Sequence, residues 1–277
     1  MAGMLYLVPT PIGNLGDISP RCRQTLAEAD FIAAEDTRVT LKLLNFLEIK
    51  KPLVSYYEHN KKESGPRIVE RILTGETCVL VSDAGSPAIS DPGEDLVRLC
   101  AEAEIPVSAI PGPCAAVSAL SISGLPTGRF CFEGFLSTNK KSRQEHLSGL
   151  AHETRTMIFY EAPHKLTRTL ADLSAAFGPD RRISLCRELT KLHEQVVRTT
   201  LAQACALYAE TPPRGEFVLI VEGAQPERQE TLTLDDAVAM ALDAIRAGAS
   251  KKDAVRQISA ETGVAKNVLY DAVLHAE

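Results

Sequence analysis

The stretch CVLVSDAGSPAISDPGEDLV, residues 78–97, decides the fold of this chain. It opens with the apolar run 78–82, continues through the Gly/Pro-rich turn 83–93, and leads into a helical pattern at 93–103. A short, continuous apolar run followed by a helix is typical of a parallel strand buried on both faces. In parallel sheets, ligands bind just beyond the carboxyl ends of the strands. The turn 83–93 is therefore predicted to line a ligand site.

Two more turns of this kind follow strand-like runs elsewhere in the first half. Residues 9–16 (PTPIGNLG) follow the apolar run 4–8, and residues 111–116 (PGPCAA) follow the run 106–110. Prolines fix the backbone of such turns, and glycines allow a ligand or another segment to approach closely. Each turn by itself is more typical of a structural turn. Because all three fall at strand ends, a shared ligand cleft is the better interpretation.

The same alternation extends into an α/β fold with two domains and a helical tail. Strand and helix patterns alternate through residues 1–126, which predicts a mostly parallel sheet. A second α/β domain is predicted over 127–224, where later strands separated by one short turn favour a mixed sheet. Residues 225–277 are predicted to hold a polar linker, with its polar stretch at 224–230, and a small helical tail that resembles a helix-turn-helix.

Composition and charge exclude several classes of protein. The chain has 277 residues, of which 45% are hydrophobic and 24% charged, so disorder is a poor interpretation. A net charge of −6 argues against coating nucleic acid by bulk charge, although it allows a local basic patch. The seven cysteines are widely spaced without a CxxC pair, so we expect reduced thiols and no metal site. With no signal-like start and no bilayer-length apolar run, a cytoplasmic protein without a membrane anchor is expected.

Seven ordered motifs carry a family resemblance that runs from about Leu5 to Gly223. They are PTPIGNLGDISPR, AAEDTR, VSDAGSPAISDPGEDLV, PGPCAAVSALSISGLP, FYEAPHKL, RELTKLHEQ and GEFVLIVEG. This series resembles the tetrapyrrole-methylase superfamily, and within it the branch that methylates the 2′-oxygen of a cytidine in 16S rRNA. The resemblance implies two α/β domains with S-adenosyl-L-methionine, the methyl donor, in the cleft between them. It also implies a homodimer and 16S rRNA or the small ribosomal subunit as partner.

The resemblance also implies which residues contact the donor. They come from all three turns and from the second domain: Pro11, Asp83, Ala84, Gly85, Ser86, Pro87, Ile89, Cys114, Ala115, Tyr160, Glu161, Glu188 and Gly215.

Methyl transfer to a ribose hydroxyl needs positioning and a group that accepts the hydroxyl proton. Three residues beyond predicted strand ends are candidates for this general base: Glu35, Asp36 and His59. Asn14, Arg38 and Asn60 are candidate positioning groups for the RNA substrate. The alternatives are a surface ion pair of Glu35 or Asp36 with Arg38, and a solvated loop histidine at position 59.

RNA must be held by local cations because the whole chain is acidic. The basic segment 137–143 offers Lys140, Lys141 and Arg143, and Lys165 lies in a predicted cleft motif. Phosphate contact is the functional interpretation, and a solvated helix start is the alternative. Two other functions stay open: a tetrapyrrole methylase of the same superfamily, and a helix-turn-helix regulator with a ligand-sensing α/β domain.

Overall fold

The computed structural model describes residues 3–225 and 233–276. The chain divides into two compact units, Met1–Ala224 and Gln225–Glu277. Residues 226–232, which include most of the polar linker predicted at 224–230, lie outside the described residues.

The first sheet is built from five strands that are all parallel to their neighbours, in the order β3-β2-β4-β1-β5. This confirms the parallel sheet predicted for the first half. Its members are β1 (Leu5–Leu7), β2 (Phe31–Ala34), β3 (Leu53–Ser55), β4 (Cys78–Val81) and β5 (Val107–Ala109).

Both faces of this sheet are covered, which explains why its central strands are apolar throughout. Along β2, Phe31 and Ala33 pack into one core while Ile32 and Ala34 pack into the core on the opposite face. The covering helices are α1 (Pro20–Glu28), α2 (Thr37–Phe46), α3 (Lys61–Leu73) and α4 (Glu94–Glu102), and α5 (Ala115–Ile122) follows the last strand, β5. Helix α3 begins a turn earlier than the predicted 65–74, because its first turn is polar and shows no apolar periodicity.

The second sheet is mixed, as predicted, in the order β6-β7-β10-β8-β9. Only the β6–β7 pair is parallel; the other three pairs are antiparallel. The strands are β6 (Phe130–Phe135), β7 (Thr156–Glu161), β8 (Arg182–Arg187), β9 (Gln195–Thr200) and β10 (Phe217–Val221). Helices α6 (Lys140–Gly149), α7 (Pro163–Phe177) and α8 (Leu201–Glu210) belong to the same half.

Helix α5 joins the two sheets. It follows the turn 111–116 of the first sheet, yet its buried residues Ala116, Ala119 and Leu120 pack on the second sheet beside Ile158 and Ile220. The third Gly/Pro turn is therefore held against the second sheet by an apolar core.

The tail forms a unit with its own core. It contains α9 (Leu234–Arg246), α10 (Lys251–Thr262) and α11 (Lys266–His275). Thr233 and Asp236 form a capping box at the start of α9, and Gly263, with φ 73°, ends α10 in the left-handed region. Across the two described ranges, no helix combines the length and apolarity needed to cross a bilayer.

Candidate active site

The three Gly/Pro turns interlock at the carboxyl ends of β1, β4 and β5. Thr10 and Gly85 exchange two backbone hydrogen bonds of 2.9 and 3.0 Å. Ser86 Oγ donates to the carbonyl oxygen of Pro113 at 3.1 Å, which ties the second turn to the third. A Cβ at Gly112 would lie only 3.0 Å from Pro9 Cβ, so the first and third turns also touch. The turns thus form one rigid floor.

This floor closes one side of a cavity of about 630 Å³, and the second sheet closes the other. A volume of this size suits a small-molecule ligand. Many of the residues predicted to contact the donor line it, from both halves of the fold: Asp83, Ala84, Gly85, Ser86, Ile89, Cys114, Ala115, Tyr160 and Glu161.

Four residues of the predicted donor set do not line the cavity. Pro11 lies in the first turn, where its neighbour Ile12 faces the cavity instead. Pro87 lines a different groove, behind the turn. Gly215, with φ 82°, leaves space for the side chain of Glu188, whose Oε1 accepts a hydrogen bond from the backbone nitrogen of Glu216 at 3.0 Å. Glu188 and Gly215 therefore support Glu216, which does line the cavity.

One end of the cavity is acidic. Glu35, at the end of β2, meets Asp83 and Asp91 of the second turn there. Burial, followed by the charges of Asp91 and Asp83, raises the pKa of Glu35. Burial also raises the pKa of Asp91, and the charge of Asp83 adds to this shift. Carboxylates brought together in a cleft with raised pKa values favour a cation, a hydroxyl donor or a proton nearby.

The turn that carries Asp91 has a strained backbone. Ala88 and Ser90 both have side chains and both adopt left-handed φ values, of 67° and 63°. Such conformations cost about 1–3 kcal/mol each and persist where the surrounding structure holds them. Here they direct Ser90 and Asp91 towards the cavity, which they line.

Tyr160 connects the second sheet to the third turn. Its hydroxyl oxygen accepts a hydrogen bond of 3.1 Å from the backbone nitrogen of Ala116, in the first turn of α5. Phe132 and Phe135 hold the ring edge-on, with centroid distances of 5.0 and 5.5 Å. Burial raises the pKa of Tyr160 to about 12, so the phenol keeps its proton near neutral pH.

Glu161 lines the cavity but is held as a structural group. Its side chain is buried, one oxygen accepts from the Thr169 hydroxyl, and the other accepts from the backbone nitrogen of Ala162 at 2.8 Å. It therefore anchors the start of α7, where Pro163 and His164 also line the cavity.

Of the three candidate general bases, the structure brings only Glu35 to the cavity. Asp36 caps α2 and forms a 2.6 Å ion pair with Arg38, whose hydrogen bonds lower the pKa of Asp36 to about 2. This is the surface ion pair considered from the sequence. His59 is exposed on the loop before α3 and lies edge-on to Tyr57, 6.2 Å between ring centroids.

The candidate positioning groups Asn14 and Asn60 stabilise local turns. Asn14 Oδ1 accepts from the backbone nitrogen of Gly16 at 2.9 Å. Asn60 Oδ1 accepts from the nitrogen of Tyr57 at 2.8 Å, and its amide donates to the carbonyl oxygen of Ser55 at 3.0 Å. Neither side chain lines the cavity.

The basic segment 137–143 divides into exposed and buried cations. Lys140 and Lys141 are exposed in the first turn of α6, which begins three residues earlier than predicted. Arg143 is buried, and its Nε pairs with Asp172 at 2.6 Å while Nη1 donates to the carbonyl oxygen of Ser137. Because its guanidinium is occupied inside the fold, Arg143 is unavailable to a phosphate. Lys165 is half-buried beside the exposed His164.

Several cavity residues were absent from the predicted set. Five of the twelve are apolar and come from strand ends of the second sheet, where the only sequence signal was a continuous apolar run; Ile12 comes from the first turn. They are Ile12, Phe135, Cys186, Leu189, Phe217 and Val218, together with the polar or small residues Ser90, Asp91, Ala162, Pro163, His164 and Glu216. Across the described ranges, no group of three or more His, Cys, Asp or Glu side chains is arranged to hold a metal ion.

Comparison with known proteins places this geometry in a family. Residues 4–205 match the family described as Tetrapyrrole (Corrin/Porphyrin) Methylases. Among solved structures, the methyltransferase CobJ has the same fold, with a TM-score of 0.60 and 21% identity over 82% of this chain and 97% of that one. Diphthine synthase aligns with a TM-score of 0.61 and 15% identity, over 80% of this chain and 90% of that one.

Two curated relatives are much more similar to this chain in sequence than these solved structures are. The protein named Ribosomal RNA small subunit methyltransferase I of Synechocystis sp. is 46% identical over 99% of both chains. Its namesake from Halalkalibacterium halodurans is 47% identical, over 99% of this chain and 96% of that protein. The fold and the interlocked turns thus define a methyltransferase of the tetrapyrrole-methylase class. Within that class, the chain belongs to the family of ribosomal RNA small subunit methyltransferase I.

Proposed function

We propose that this chain transfers a methyl group from S-adenosylmethionine to the 2′-oxygen of a cytidine ribose in 16S rRNA. The observation that carries the proposal is the cavity itself, whose floor is made by the three turns and whose end holds three carboxylates. The rRNA methyltransferase name of relatives that match nearly the whole chain supports an rRNA substrate.

The cavity residues fit the donor. Asp83 and Asp91 can accept hydrogen bonds from ribose hydroxyls or an ammonium group. Small side chains at Ala84, Gly85 and Ala115 leave space for a flat ring or a thioether. Bound S-adenosylmethionine supplies an electrophilic methyl group on a positively charged sulfur, and that charge suits an acidic cavity end.

Glu35 is the proposed general base. A ribose hydroxyl is a weak nucleophile until its proton is removed, and a base works best when its pKa is near the working pH. Burial and the neighbouring carboxylates move the pKa of Glu35 upwards, in that direction. Tyr160 keeps its own proton and holds α5 in place, so it positions the cavity wall.

The RNA is proposed to approach over cations on the helices of the second half. The exposed Lys140 and Lys141 on α6 and the half-buried Lys165 on α7 are the proposed phosphate contacts. The family resemblance also predicts a homodimer, which light scattering of the purified chain would test.

The two alternative functions are not favoured. A uroporphyrin-III-C-methyltransferase and a cobalt precorrin-4 methyltransferase share the fold at only 20% and 17% identity, which establishes the fold alone. The residues that line the candidate active site lie between 12 and 218, within the first unit, so the proposed site needs no residue of the helical tail.

The decisive experiment is methylation of unmodified small-subunit particles with labelled donor, followed by mapping of the label. We expect label on one cytidine 2′-oxygen with the wild-type chain and a rate of labelling lower by about 100-fold or more with Glu35→Gln. Label on a base, on a ribosomal protein or nowhere would contradict the proposed function.

A further inference from the structure

A second cavity, of about 340 Å³, lies next to the candidate active site. Two arginines face it, Arg187 at the end of β8 and Arg214 in the loop before β10. Tyr208, Pro212 and Pro213 supply apolar walls. We call this the arginine cavity.

Phe217 is next to both cavities. It lines the candidate active site, and in the core of the second sheet its ring meets the ring of Tyr208, which lines the arginine cavity, edge-on at a centroid distance of 5.6 Å. Arg214 precedes the active-site residue Glu216 by two positions, so their α-carbons are at most about 7 Å apart. The loop before β10 therefore contributes a residue to each cavity.

The arginine cavity carries positive charge that no carboxylate among the described residues pairs with. Arg187 Nε donates to the carbonyl oxygen of Arg214 at 2.6 Å, and Nη1 reaches Gln195 Oε1 at 3.5 Å. These bonds orient the guanidinium and leave other N–H groups free. Within residues 3–225 and 233–276, neither Arg187 nor Arg214 forms an ion pair, and the Arg214 guanidinium makes no hydrogen bond.

The neighbouring carboxylate, Glu188, is already occupied. It pairs with Lys191 Nζ at 2.9 Å and accepts from the backbone nitrogen of Glu216 at 3.0 Å. Arg187 contributes to the lowered pKa of Glu188, after larger effects of Lys191 and Glu216. An anion that enters the arginine cavity therefore competes with no carboxylate of the described residues for either guanidinium.

We propose that the arginine cavity binds a backbone phosphate of the RNA, adjacent to the nucleotide whose ribose enters the active site. This inference rests on the proposed function. Arginine suits the role because its planar fork matches phosphate oxygens. The apolar walls of Tyr208 and the two prolines offer a surface for the sugar of that nucleotide. A phosphate held there fixes the register of the strand relative to Glu35 without taking part in the reaction.

The test compares Arg214→Gln, the double variant Arg187→Gln with Arg214→Gln, and the control Arg182→Gln. Arg182 lies on the same strand as Arg187 but at its opposite end, and it is exposed. Binding to unmodified small-subunit particles is measured over a range of salt concentrations. For the double variant we expect about 10-fold weaker binding at moderate salt and a salt slope shallower by about 1. KM for the particles should rise while kcat and the affinity for S-adenosylhomocysteine stay unchanged.

Each result of this comparison either supports or contradicts the phosphate site. Arg214 is exposed and its side chain has no partner among the described residues, so Arg214→Gln keeps the fold and alone must weaken particle binding. Particle binding and salt slope equal to those of Arg182→Gln would overturn the phosphate site while leaving the proposed function intact. A fall in kcat or in S-adenosylhomocysteine affinity with unchanged particle binding would also overturn it. A wild-type chain that methylates no particle would overturn the proposed function, and with it this site.

Discussion

Glu35 shows how one side chain can be unfavourable for folding and suited to chemistry. Its pKa is raised in the folded chain, first by burial and then by Asp91 and Asp83. A carboxyl group with a raised folded pKa contributes its full stability below the unfolded pKa, and that contribution is lost as pH rises through the folded pKa. Above that range the ionised form costs stability and is the form that can accept a proton.

Replacing Glu35 with Gln should separate these two effects. Methyl transfer should fall by about 100-fold or more, the range typical for loss of a general base. The melting temperature of Glu35→Gln minus that of wild type, measured at the same pH, should rise as pH increases from acidic to neutral. The reason is that the variant no longer carries the buried charge. Activity assays and thermal melts across pH measure both quantities.

Glu210→Gln is the matched control for this prediction. Glu210 is exposed at the end of α8 and forms no ion pair within the described parts of the chain. It should leave activity and the pH dependence of melting unchanged. A Glu35→Gln variant with wild-type activity would remove Glu35 from the mechanism.

At the scale of elements, the second Gly/Pro turn depends on a backbone conformation that favours glycine. Gly85 has φ 82°, exchanges hydrogen bonds with Thr10 and faces the cavity. A Cβ built there would be in ordinary contact with Ile12 Cγ2, at 3.4 Å. A side chain at position 85 would therefore strain the backbone and take up space beside Ile12, which also lines the cavity.

Gly85→Ala and Gly263→Ala should differ in function more than in backbone cost. Both glycines have positive φ, 82° and 73°, so alanine should cost about 1 kcal/mol at either position. Around Gly263, at the end of α10, a Cβ would meet nothing within 4 Å. Only Gly85→Ala should weaken S-adenosylhomocysteine binding, measured by calorimetry. Equal binding by both variants would show that the second turn does not contact the donor.

The first turn of α6 supports a contrast between exposed and buried cations. Reversing the charge of Lys140 and Lys141 to Glu should weaken binding to small-subunit particles and flatten its salt dependence. Stability should change little, because the 3.9 Å pair of Lys141 with Glu145 is exposed.

Arg143→Met, in the same turn, should lower the stability of the chain and leave binding to small-subunit particles unchanged. It leaves Asp172 without its buried partner, which should cost about 3 kcal/mol of unfolding free energy. Chemical denaturation should detect the effect of Arg143→Met on stability, and particle binding should detect the effect of reversing the charge of Lys140 and Lys141. Weakened particle binding by Arg143→Met at full stability would contradict this assignment.

At the scale of the whole molecule, the division into two units has a direct consequence. The cavity is lined by residues 12–218, and the unit Met1–Ala224 contains four apolar cores of its own. The tail has a separate core that includes Val255, Ile258 and Leu269. Each unit therefore buries enough apolar surface to keep its own structure.

A chain truncated after Ala224 should fold and bind S-adenosylhomocysteine with wild-type affinity. Circular dichroism and calorimetry measure these properties. A truncated chain that is unfolded, or that has lost donor binding, would contradict this prediction. Particle binding by the same variant would show what the tail contributes to RNA recognition.

The sequence by itself determined the strand-turn-helix units, the parallel and mixed sheets and the turns that form the cavity floor. These features depend on local periodicity and on the backbone limits of glycine and proline, which are visible in a short window of residues. Tyr160 was found through a motif, but its bond to Ala116 joins segments 44 positions apart. Only the tertiary structure decided that Glu35 faces the cavity while the adjacent Asp36 pairs with Arg38. It alone also buried Arg143 and, among the described residues, left Arg187 and Arg214 without carboxylate partners, because the partner of a charged side chain depends on contacts between distant segments.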